Sequence, residues 1–173
     1  MAEKRRTDLI VEELQRLKGL GKVAVVEEEK SKFVIFTLRG GLYAFAGADI
    51  KEILPAMEIF PVPGAPQSVP GVINNRGDIE AVVDLGGILG LPDGNGAAVG
   101  RIVMAQKSGV RAGILVDAVV DVLDLPPSMI KPPLATLNAA ARELVVGETI
   151  CQGRSVVLLD VDRIFDALRN HGR

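Results

Sequence analysis

Phe33-Val34-Ile35-Phe36-Thr37-Leu38-Arg39-Gly40-Gly41-Leu42-Tyr43-Ala44-Phe45 joins two runs of β-branched, aliphatic and aromatic residues through a basic-glycine connection. Such runs favour extended backbone. The glycines supply the reversal that folds one run back on the other, so the stretch predicts a β-hairpin. Ile102-Val103-Met104-Ala105, then Lys107-Ser108-Gly109, then Val110 to Val116 repeat the arrangement.

Working outward from these hairpins exposes an internal echo. The turn glycine Gly41 is followed by Asp49 and then by Glu52-Ile53-Leu54-Pro55, as Gly109 is followed by Asp117 and then by Asp121-Val122-Leu123. Likewise Ala81-Val82-Val83-Asp84-Leu85 through Leu89 parallels Val157-Leu158-Leu159-Asp160-Val161 through Phe165. Two copies of one unit are implied. Each copy holds about five short strands, too few for a robust core alone, so two small five-stranded barrels packed side by side are expected. Asp84 and Asp160 each end an apolar strand and precede a helical pattern, where a carboxylate accepts from free helix N–H groups. Ile164, Phe165 and Leu168 form the apolar stripe of a short C-terminal helix, whereas Gly86 and Gly87 weaken the first helix.

Between these segments lie loops punctuated by proline and glycine: Pro61 to Pro66 with Pro70, Leu91 to Gly96, and Pro126-Pro127 with Pro132-Pro133. Residues 1–32 read as a charged N-terminal extension. There Ile10, Leu14 and Leu17 have helical spacing, with Glu12 and Arg16 at i,i+4, before Gly19 and Gly21 stop the pattern. Residues 33–168 form the β-rich unit and 169–173 a tail.

Composition narrows function by exclusion. Of the 173 residues 48% are hydrophobic and 24% charged, which fits a packed globular chain, while 3% aromatics and no Trp demand an aliphatic core. The net charge of −2 and the lack of a basic stripe with aromatic platforms argue against nucleic acid. No apolar run approaches the roughly 18 residues of a membrane span, and the charged first residues lack a signal-peptide core. No direct membrane insertion is expected, and the cytoplasm is the natural address. One cysteine, Cys151, excludes an internal disulfide and reads as a strand residue.

Catalytic constellations are equally scarce. The single histidine, His171, stands in the polar C-terminal segment, remote from any nucleophile pattern. One His and one Cys cannot make a zinc site. Asp117, Asp121 and Asp124 lack the spacing of a calcium loop, and Asp93-Gly94-Asn95-Gly96 has Met104 where the bidentate Glu belongs. Gly86-Gly87 with Gly90 is followed by no phosphate-binding Lys-Ser/Thr. Neither cofactor nor enzymatic activity is expected.

One segment stands apart. In Gly71-Val72-Ile73-Asn74-Asn75-Arg76-Gly77-Asp78-Ile79 two short β runs flank a tight connection that presents a guanidinium at its tip. It reads either as a turn with a solvated Arg or as a rigidly mounted Arg offered to a partner.

The run Gly71 to Gly77, the downstream Val82-Val83-Asp84-Leu85 and the later Gly113-Ile114-Leu115-Val116-Asp117-Ala118-Val119 together resemble the CheW family of bacterial chemotaxis coupling proteins. Ile50-Lys51-Glu52-Ile53 and Ile59-Phe60-Pro61-Val62-Pro63 fall where that family has equivalents, and the ordered match spans about 33 to 168. The resemblance implies a mainly β fold of two SH3-like barrels and a non-catalytic adaptor. Its implied partners are the cytoplasmic domain of a chemoreceptor and the regulatory domain of a CheA-type histidine kinase. It implies receptor contact at Ile50, Glu52, Ile53, Gly71 and Arg76. The chain departs from the family's usual pattern at Asn75, where Leu is usual, and at Ala81, where Pro is usual; Phe45 to Ala48 is also smaller than usual. Two other readings stay open: a divergent adaptor of a motility or developmental pathway, and a small-molecule-binding barrel or hydrolase with a cryptic acid pair.

Overall fold

A computed structural model describes residues 8–16, 28–93 and 100–171. Helix α1 covers 8–16. The first half of the body holds β1 (Ser31–Leu38), β2 (Gly41–Ala46), β3 (Ile50–Pro55), β4 (Gly71–Asn75), β5 (Asp78–Asp84) and helix α2 (Leu85–Ile88). The second half holds β6 (Arg101–Lys107), β7 (Val110–Val116), β8 (Ala118–Leu125), helix α3 (Ala139–Leu144), β9 (Val145–Cys151), β10 (Arg154–Leu159) and helix α4 (Val161–His171). Each half has five strands followed by a helix, as the sequence echo requires, and the second half adds α3 between its third and fourth strands.

Four hairpins share one turn chemistry. Arg39-Gly40, Arg76-Gly77, Ser108-Gly109 and Gln152-Gly153 each place two consecutive residues at positive φ, between 47° and 93°. That is the two-residue loop whose twist matches paired strands. Glycine adopts the second position without strain. The turn glycine of the first hairpin is therefore Gly40 rather than Gly41, which pairs with Leu38 and opens β2.

The sheets differ from the expected pairing of one copy per barrel. One five-stranded sheet has the order β8-β1-β2-β10-β9 and the other β3-β6-β7-β5-β4, so each combines strands of both halves. The reason lies in two corners. Only Gly47–Asp49, a 3-10 turn, separates β2 from β3, and only Asp117 separates β7 from β8. Connections this short, without a two-residue reversal, turn the chain onto the facing sheet. Beginning at β3 and at β8, the last three strands of each half join the first two of the other, which interlocks the two barrels.

Burial follows from that interlock. Alternate residues of each strand face a barrel interior: Phe33, Ile35, Leu42, Ala44, Val156 and Leu158 in the first, and Leu54, Ile73, Val82, Ile102 and Met104 in the second. The intervening residues, including Phe36, Phe45, Val83, Val103, Ile114, Leu159, Ile164 and Phe165, form a third and larger core between the barrels. Both faces of the central strands are thus dry, which is why Phe33–Phe36 and Ile102–Ala105 are continuously apolar rather than alternating. The three cores make the barrels one unit.

The capping aspartates stand where the sequence places them. Asp84 accepts from Gly86 N–H at 3.1 Å, and Asp160 from Asp162 N–H at 2.8 Å. Helix α2, with its glycine pair in the middle, ends after four residues at Ile88, whereas α4 runs eleven and buries Ile164 and Phe165. In α1 Leu9, Ile10, Val11 and Leu14 are all exposed. Leu17, Gly19 and Gly21 lie outside the described residues, as does most of the Asp93 to Gly96 turn.

Candidate functional site

Arg76 occupies the first turn position between β4 and β5, with φ 54°. Asn74 Oδ1 accepts from Gly77 N–H at 2.8 Å and braces the loop from beneath. The Arg76 side chain is 82% exposed, and its Nη1 lies 3.7 Å from Glu52 Oε2. Glu52 comes from β3, the edge of the sheet opposite to β4. Asn75 Nδ2 donates to Glu52 Oε1 at 2.5 Å, joining the two edges across the barrel mouth. Asn75, the position where Leu is usual in the resembled family, is itself buried.

Two further charges complete the cluster. Arg111 on β7 places Nη2 3.7 Å from Glu52 Oε1 and Nε 2.9 Å from Glu80 Oε1 on β5. That Nε–H is buried and makes no hydrogen bond, so its attraction to Glu80 is coulombic rather than directional. The result is an alternating chain, Arg76–Glu52–Arg111–Glu80, that runs from an exposed guanidinium to half-buried groups. Arg111 and Glu80 carry no local motif and escaped the sequence reading. The signal that does point to them is register: β5 and β7 pair in parallel with Val82 opposite Gly113, and two residues earlier Glu80 faces Arg111.

The other expected residues divide by face. β3 carries a bulge at Lys51, since Ile50 pairs with Ala105 and Glu52 with Met104. The extra residue re-aims the strand: Ile50 and Ile53 share one face, and Glu52 and Leu54 the other. Ile50 helps line an open groove of about 540 Å3 with Val34, Ala46, Gly47, Ala48 and Val122. Ile53 is 42% exposed. Gly71 is buried beneath a bridge in which Phe60 and Val72 exchange backbone hydrogen bonds of 2.8 and 2.9 Å. A Cβ at Gly71 would stand 2.2 Å from Phe60 O, so the backbone approach itself demands glycine. The structure therefore brings Glu52 and Arg76 together, sets Ile50 and Ile53 on the adjoining face, and places Gly71 beneath the neighbouring bridge.

Among the described residues no helix is long and apolar enough to cross a membrane, and no group of three or more His, Cys, Asp or Glu side chains is placed to hold a metal ion.

Residues 32–169 match the family model described as CheW-like domain. The chain is 32% identical over 116 residues to chemotaxis protein CheW of Rhizobium meliloti (strain 1021), covering 67% of this chain and 75% of that protein. To chemotaxis protein CheW of Thermotoga maritima it is 31% identical over 125 residues, with 72% and 81% covered. Among solved structures, that of the scaffolding protein TtCheW from Thermoanaerobacter tengcongensis superposes with a TM-score of 0.69 at 28% identity, covering 79% of this chain and 88% of that one.

Proposed function

The chain belongs to the CheW-like domain family, a family of non-catalytic scaffold proteins, and on that premise we propose that it couples the cytoplasmic tip of a chemoreceptor to the regulatory domain of a CheA-type histidine kinase. The observation that carries the receptor half of this reading is the convergence of Glu52 and Arg76. An edge strand and a hairpin tip bring opposite charges to 3.7 Å while leaving the guanidinium 82% exposed. A short, glycine-anchored turn limits the entropy lost on docking, and the planar fork of Arg suits carboxylates or carbonyls at a helix end. Ile50 and Ile53 supply an aliphatic surface on the other face of the same edge strand, while Gly71 serves the turn from below by admitting the Phe60 bridge.

The kinase half rests on a different surface. Val146 and Ile150 on β9 are exposed on an edge strand of the other sheet. In a chain with few aromatics, such aliphatic groups form the centre of an interface. In this role the protein works in the cytoplasm as a bridge between two protein partners, without a cofactor.

Co-sedimentation tests the reading. Receptor cytoplasmic fragments assembled on vesicles should pellet this protein alone, and should pellet the kinase only when this protein is present. Kinase recovery that is the same with and without the protein would refute the coupling role.

A further inference from the structure

Lys107 ends β6 and gathers three carboxylates from elsewhere in the chain. Its Nζ lies 3.3 Å from Asp49 Oδ2, 3.8 Å from Asp160 Oδ1 and 3.9 Å from Asp162 Oδ2. Asp49 is the last residue of the corner through which the chain leaves one sheet and enters β3, and Asp160 caps α4. Burial by itself would depress the lysine's pKa. The hydrogen bond to Asp49 and the fields of Asp160, Asp49 and Asp162 outweigh it and leave the ammonium raised above its ordinary value.

The opposite corner has the same construction. Arg39, in the equivalent hairpin, donates its backbone N–H to Asp117 Oδ2 at 2.6 Å, and Asp117 immediately precedes β8. Its guanidinium reaches the Asp84 carboxylate at 3.3 Å and the Leu91 carbonyl at 2.7 Å. A basic residue, the aspartate before an exchanged strand, and the aspartate capping a helix thus occur twice, and they explain the echo of Asp49 with Asp117 and of Asp84 with Asp160. The twins differ in one respect. Asp117 is held by a backbone N–H that any non-proline residue supplies, whereas Asp49 is held by the Lys107 side chain.

We propose that Lys107 is the positioning residue for the receptor-facing strand. By tying the Gly47–Asp49 corner to the cap of α4, it sets where β3 starts. It thereby places Ile50 against the groove and, beyond the Lys51 bulge, Glu52 beneath Arg76. This inference rests on the receptor reading of β3 given above.

Hydrogen exchange and receptor-fragment titration on the full chain test it together. Lys107→Met should speed exchange of the amides of residues 47–53 at least tenfold and raise the Kd for the fragment about tenfold. Lys107→Arg should restore both, and Asp49→Asn should reproduce the loss from the partner side even if Lys107→Met folds poorly. Arg39→Met, which leaves the N–H to Asp117 in place, should leave exchange in 47–53 and in β8 unchanged. Unaltered exchange in 47–53 for both Lys107→Met and Asp49→Asn would overturn the proposal, as would loosened exchange with unaltered fragment affinity. A wild-type protein that binds no receptor fragment would refute the receptor reading instead, and the exchange data would still decide whether Lys107 holds the strand.

Discussion

Arg76→Glu separates a partner-facing role from a structural one, because the two predict energies of different size. At 3.7 Å the Arg76–Glu52 attraction is worth about 1 kcal/mol in water, and reversing the charge turns it into a repulsion of similar size. Two features shrink the net effect. The Arg76 side chain is 82% exposed, and exposed pairs measure about 0.2–1 kcal/mol. Glu52 also keeps Asn75 at 2.5 Å and Arg111 at 3.7 Å. The turn itself is indifferent, since one non-glycine residue replaces another at φ 54°. The expected stability loss is therefore below about 1 kcal/mol, a melting shift of no more than about 4 °C for a chain of this size. A guanidinium that anchors a receptor helix costs about 2 kcal/mol or more when lost, roughly a thirtyfold rise in Kd. Calorimetric titrations against a receptor cytoplasmic fragment and against the kinase regulatory domain, with a melting curve on the same preparation, measure all three quantities. Receptor affinity should fall by that factor while kinase affinity stays within about twofold. Wild-type receptor affinity in the variant, or a variant that unfolds, would refute the assignment.

Gly71→Ala pushes Phe60 O from a clashing 2.2 Å, straining or breaking the two bridge hydrogen bonds at about 1 kcal/mol each. A denaturant midpoint should show a net loss of about 1–3 kcal/mol after the smaller entropic gain of the substitution. Deleting residues 1–27 should shift the melting temperature by only a few degrees, because every described residue of α1 is exposed, and Glu28, which accepts from Ser128 N–H at 3.1 Å, is retained. Alkaline pH should destabilise the fold. Burial raises the Tyr43 pKa above 10.0, and the carboxylates around Lys107 raise its pKa above 10.5, so the folded state holds both protons more tightly than the unfolded chain. Their contribution is complete below about pH 10 and is lost as pH rises through the folded values; midpoints should hold from pH 8 to about pH 10 and fall above it, less steeply in Lys107→Met.

Much of this protein was legible in its sequence because the determinants are local. The hairpin at Phe33–Phe45 is specified by β-branched runs and a two-residue turn. The Asp84 and Asp160 caps follow from a carboxylate placed just before a helix, and the exposed Arg76 from its place beside Gly77. Each of these choices is made within a few residues by backbone sterics and the nearest hydrogen bond. Even the turn glycine was missed by only one position, since Gly40 and Gly41 differ locally only in which of them pairs with Leu38.

What tertiary structure decided involves residues far apart along the chain. Two halves with matching patterns fit either one barrel each or barrels that exchange strands. The choice falls to the three-residue corner before β3 and the one-residue corner before β8, which turn each strand onto the facing sheet and thereby bury both faces of the central strands. The same folding brings Glu52, Glu80 and Arg111 into one charged cluster, and Asp49, Lys107 and Asp160 into another. Each set is collected from separate elements, so no local sequence window contains it. Charges act through space, and in this chain the space is defined only when β3 and β8 have crossed.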